Sequence, residues 1–125
     1  MAKWIDIVDI ERSVRDTLKD VCDNVFINNA PVAVSEKMSS FIVADILGNV
    51  NDYHAYKNSY VYFTIYVRNR KSGVQDSVNI DALTNGVMEL FPIKGDGYSI
   101  ITPRLTYGRK VNDFVTATIR CEIII

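Results

Sequence analysis

SYVYFTIYVRN, running from Ser59 to Asn69, alternates strictly between two kinds of side chain. Val61, Phe63, Ile65 and Val67 fall on one side, with Tyr60, Tyr62, Thr64, Tyr66 and Arg68 on the other. Successive side chains of a strand point to opposite faces, so a period of two predicts a strand with one greasy face. β-Branched and aromatic residues dominate the stretch and no proline interrupts it, which strengthens that prediction. The second face is neither apolar nor plainly polar, because it carries tyrosines and an arginine.

The same pattern returns near the end of the chain. Val115, Ala117, Ile119, Cys121 and Ile123 form an apolar row, opposed by Phe114, Thr116, Thr118, Arg120 and Glu122. Ser40 to Leu47, before Gly48, predicts another strand, where Ile42, Ala44 and Ile46 alternate with Phe41, Val43, Asp45 and Leu47 so that both faces are partly covered. A further strand over 98–107 places Ile101, Leu105 and Tyr107 on one side, and Pro103 marks an edge position or a bulge. A short strand around Val32–Val34 is left open. The polar segment Asn49–Asn58 predicts a long hairpin connection or projecting loop.

Two segments switch to helical spacing. Ile7, Ile10, Val14, Leu18, Val21 and Val25 recur at threes and fours, which predicts a helix from about Trp4 to Asn24, ended by Asn28, Asn29 and Pro31. Ile80, Leu83, Val87 and Leu90 form the stripe of a second helix, Ser72 to Phe91. Ser72 and Gln75 have the spacing of a capping box at its start. Gly86 costs such a helix about 1 kcal/mol relative to alanine, so it marks a close approach of helix to sheet. Pro92, Gly95, Asp96 and Gly97 read as the turn that stops it. The expected fold is α+β, an antiparallel sheet of four to five strands with two helices packed on one face. It forms one domain over residues 1–125.

At 125 residues, 48% hydrophobic and 23% charged, the chain has the composition of a domain that folds without metal or disulfide. Its net charge of −1 argues against a general binder of nucleic acid or membrane surfaces, which needs a basic excess. No apolar run approaches the roughly 18 residues of a membrane span. Acids interrupt MAKWIDIVDIERS where a signal peptide needs a continuous apolar stretch, so a cytoplasmic protein is expected. Cys22 and Cys121 fall on apolar positions far apart in sequence and read as reduced core residues.

No catalytic constellation emerges, and no cofactor or metal is expected. His54, the only histidine, lies in the 49–58 loop between Tyr53 and Tyr56, without cysteine neighbours to complete a zinc site. The aspartates of the first helix spread over its polar side among Arg12, Arg15 and Lys19, as on a solvated surface. Arg104, Arg109 and Lys110 beside Tyr107 read as a basic hairpin tip. Helices on one sheet face leave the other half open, and tyrosine suits interfaces that stay partly wet. The candidate protein interface is therefore Tyr60, Tyr62, Tyr66, Arg68, Phe114 and Arg120, with loop contacts from Tyr53, His54 and Tyr56.

The layout resembles the bacteriophage tail terminator family, also called tail-completion or head–tail joining proteins. The resemblance rests on the opening helix DIERSVRDTLKDVCDNVF, the proline segment NNAPVAV and the strands SFIVADIL and YVYFTIYVRNR. The helix SGVQDSVNIDALTNGVMELF and the closing FVTATIRCEIII complete it. The loop from Asn49 to Asn58 departs from the family in its tyrosine content. The resemblance implies a homo-oligomeric ring, a hexamer, that caps the tail tube and docks to head or neck proteins. Its place would be the virion, after assembly in the host cytoplasm, with no membrane or specific nucleic-acid partner. The competing readings are a non-catalytic adaptor that dimerises through its open sheet face, and a small enzyme.

Overall fold

The computed structural model describes residues 7–28, 39–46, 59–69, 76–95, 97–108 and 113–124. The elements run α1 (Ile7–Leu18), β1 (Val25–Ile27), β2 (Ser40–Asp45), β3 (Ser59–Arg68), α2 (Ser77–Met88), β4 (Ile93–Gly95), β5 (Tyr98–Tyr107) and β6 (Phe114–Ile124). The strands form one six-stranded sheet in the order β1-β2-β3-β6-β5-β4. The α+β class stands. The expected four to five antiparallel strands do not, because β1 and β4 extend the sheet and β1 pairs parallel to β2.

Both additions are three residues long, too short for a period of two to show. Val21 and Val25 happen to continue the helical spacing of α1, but the chain turns after Leu18 and Val25 opens β1. Asn28 then closes that strand in the left-handed region at φ 65°. Its N–H donates to Ala44 O at 2.7 Å and its Oδ1 accepts from the Ile46 N–H at 2.8 Å. The start of α2 is set by Asp76, whose side chain accepts from the Asn79 N–H. The capping box expected at Ser72 and Gln75, and the short strand left open at Val32–Val34, lie outside the described residues.

The apolar rows of the central strands fill the core as their alternation predicts. Val61, Phe63, Ile65 and Val67 are buried, as are Val115, Ala117, Ile119, Cys121 and Ile123 across the β3–β6 ladder. Ile10, Val14 and Leu18 of α1 and Ile80 and Val87 of α2 pack onto the same cluster, so both helices cover one face. Thr84 is also buried there, its hydroxyl satisfied by the Ile80 carbonyl at 2.6 Å. Gly86 makes the close approach expected of it, but to a different partner. A Cβ on Gly86 would stand 2.9 Å from Val21 Cγ1, in the turn after α1 rather than on the sheet.

α1 contacts β1 at one end of the strand order, while Ser13 Oγ lies 2.7 Å from the Tyr98 hydroxyl on β5. Flat strands four places apart lie about 19 Å from each other, further than one helix about 10–12 Å across can bridge unaided. The sheet therefore curls around the helices, which leaves the tyrosine row on its outer, convex side. No described helix is long and apolar enough to cross a membrane.

β5 carries the bulge that Pro103 predicted. The register against β6 shifts between Ile101 and Arg104, with Thr102 at φ 57° inside the shift. The one extra residue on β5 inverts the alternation. Ile101 pairs with Glu122 and faces outward, whereas Leu105 and Tyr107 pair with Ile119 and Ala117 and share the helix face. The expectation that Ile101 sits with Leu105 and Tyr107 is thus corrected. Tyr107 reaches α2, where its hydroxyl donates to Asp81 Oδ1 at 2.8 Å.

Candidate functional site: the outer face of the sheet

Residues directly opposite each other in a ladder point to the same side, so the registers assemble the outer face row by row. Phe41, Tyr66 and Thr116 form one row across β2, β3 and β6. Val43, Thr64, Thr118 and Thr106 form the next. Asp45, Tyr62, Arg120 and Arg104 cross four strands in a third, and Tyr60, Glu122 and Ile101 make a fourth.

The two ends of this face differ. At one end, Phe41 and Tyr66 stack with centroids 4.4 Å apart and planes 11° from parallel. Phe114 meets Phe41 edge-on at 5.3 Å, and Phe26 on β1 meets it edge-on at 5.9 Å. This second cluster leaves Phe41 only 3% and Phe114 only 7% exposed. Arg68 lies over the Phe114 ring at 4.7 Å and pairs loosely with Asp113 at 4.0 Å. Burial, and next the charge of Asp45, hold the Tyr66 phenol above its usual range, and burial raises the Asp45 carboxyl.

At the other end the face is open. Tyr60 is 45% exposed, Arg104 and Arg120 are exposed, and Tyr62 is half-buried. The Arg120 guanidinium lies over the Tyr60 ring at 4.9 Å. Beside them a recess of about 260 Å³ is lined by Tyr60, Thr102, Arg104, Arg120, Cys121 and Glu122.

The six candidate interface residues therefore share one face but not one environment. Tyr66, Phe114 and Arg68 are engaged within the chain, and Tyr60, Tyr62 and Arg120 remain available. Arg104 belongs with them: it faces Arg120 directly, where the sequence grouped it with the hairpin tip. Alternation with Leu105 and Tyr107 was the signal that could have found it, since it sets Arg104 on the side opposite to theirs; its place across from Arg120 needed the register. Tyr53, His54 and Tyr56, and also Arg109 and Lys110, lie outside the described residues. Among the described residues no three His, Cys, Asp or Glu side chains converge as metal ligands. Cys22 and Cys121 are both free and buried.

No protein-family model matches the chain, and no curated protein matches it.

Proposed function

We propose that the protein is a non-catalytic assembly subunit that associates with copies of itself through the open end of its outer sheet face. By the resemblance to tail terminators, the product is a ring of six that caps a tail tube and presents a docking surface to head or neck proteins in the virion. The observation that carries this reading is the patch of Tyr60, Tyr62, Arg104 and Arg120. It is aromatic and cationic, and it lies opposite the face that both helices cover. Tyrosine and arginine are the side chains that dominate interface energetics, since each combines broad contact area with directional polar groups. A ring also needs one surface to meet a different one on the next copy, and helices on one side with tyrosines on the other supply two unlike surfaces.

Native mass spectrometry and sedimentation, on the protein alone and mixed with a phage tail-tube subunit, test the reading. The expected result is a closed oligomer that Tyr60→Ser with Tyr62→Ser dissociates without unfolding the chain. A stable two-fold dimer would instead favour the adaptor. A monomer under every condition, with or without tube subunits, would remove the assembly role.

A further inference from the structure

We infer that the Arg104–Arg120 pair is the receptor for the carboxylates of Asp16 and Asp20 on the neighbouring copy of this chain, so that subunits join sheet face to helix face. The inference rests on the self-assembly reading and names its contact.

Arg104 and Arg120 stand directly opposite each other on β5 and β6. Like charges at opposed positions of a ladder repel and weaken the pairing. Neither arginine makes an ion pair with a described residue, Glu122 of the same recess included. Stacking on Tyr60 at 4.9 Å holds the Arg120 guanidinium at the surface instead of letting it swing away. The result is a fixed pair of cations at the mouth of a recess, with their hydrogen-bonding forks unspent on any described residue.

A complementary pair lies on the opposite side of the same molecule. Asp16 is exposed near the end of α1, and Asp20 is exposed in the turn that follows. That turn prolongs the helical path, with the Lys19 N–H bonded to Arg15 O at 2.9 Å and the Asp20 N–H to Thr17 O at 3.3 Å. Side chains four apart on a helix stand about 5–6 Å from each other at Cβ. Opposed residues of an antiparallel pair stand about 4.5–5.5 Å apart. Two carboxylates therefore meet two guanidiniums at matching Cβ spacing, and each guanidinium can take a carboxylate through paired N–H···O bonds.

Arg12 on α1 and Lys19 in the turn after it flank these aspartates. A slipped register would set them against the arginine pair, so the contact selects one alignment. Since α1 and the arginine pair lie on opposite faces of the sheet, the contact is head-to-tail. Its repetition closes a ring or extends a filament, according to the rotation between copies.

Exposed charges can be reversed with little risk to folding, so the full chain serves for the test, with circular dichroism as the folding control. Arg104→Glu with Arg120→Glu should weaken self-association at least tenfold by sedimentation, and so should Asp16→Lys with Asp20→Lys in a second chain. Mixed together, the two reversed chains should recover association in strict 1:1 alternation, because each then presents the charge the other needs. Raising the salt should weaken the wild-type contact. Wild-type association that survives both reversals, or reversed chains that stay apart when mixed, would overturn this contact while leaving self-assembly standing. A wild-type chain that never associates would overturn both.

Discussion

Cys121 lies 1% exposed beneath the helices, its thiol donating to the Val61 carbonyl at 3.3 Å, and burial pushes it up from 9.0 to about 12. Between those values the native thiol keeps a proton that the unfolded chain has lost. Stability is therefore undiminished below pH 9.0 and falls as pH rises toward about 12, by up to about 1.4 kcal/mol per pH unit. Urea midpoints taken from pH 8 to 10.5 should drop more steeply for wild type than for Cys121→Ala. The raised Tyr66 phenol adds a slope of the same sign in both chains, so the difference between them isolates the thiol. Equal slopes would contradict the burial. Gly95 makes a second test. A Cβ there would fall on the ring of Tyr98, which is buried and tied to Ser13. Gly95→Ala should cost about 1–3 kcal/mol in thermal unfolding through overpacking, and Tyr98→Phe about 1 kcal/mol through the lost hydrogen bond. The cysteines were legible as core from the apolar rows they join. The role of Gly95 was not, since a glycine beside Asp96 and Gly97 reads as a turn until the ring that covers it is seen.

At the scale of elements, what the sequence revealed depended on how many periods each one offered. β3 and β6 run 10 and 11 residues, enough alternations for both faces to be assigned correctly. β1 and β4 offer a single alternation each, and their apolar residues were absorbed into a helix and a turn. The parallel pairing of β1 with β2 is a tertiary fact that no local pattern carries. Pro103 announced the bulge, but its consequence, the inversion that turns Ile101 outward on the same face as Arg104, needed the register. Gly86 shows the same division. Its presence in a helix signalled a close approach, and the partner proved to be Val21. Gly86→Ala gains about 1 kcal/mol of helix propensity against an overpacking cost of about 1–3 kcal/mol. The single change should be net destabilising by roughly 1 kcal/mol. Made in a Val21→Ala background, it should become stabilising, because the methyl that opposed it is gone. A double-mutant cycle by urea unfolding reads the coupling directly, and additivity of the two changes would show that the contact does not constrain α2.

At the scale of the whole molecule, the curled sheet separates two jobs. Its concave face holds the helices and the core, and its convex face is closed at the Phe41–Phe114 end and open at the Tyr60–Arg104 end. Hydrogen exchange should show this division. In the isolated subunit the amides of Val61–Val67 and Val115–Ile123 should exchange slowest, because β3 and β6 are paired on both sides. Those of β1 and β4 should exchange far faster, since each is a three-residue strand at a sheet edge. On association, new protection should appear at the outer β5 segment from Arg104 to Tyr107 and in the turn after Leu18. Phe41 and Val43 should change little, because their side chains are already buried within the chain. Protection gained mainly at the Phe41–Phe114 end would mean that the aromatic cluster opens to receive a partner. The contact would then lie at the far end of the same face, away from the arginine pair.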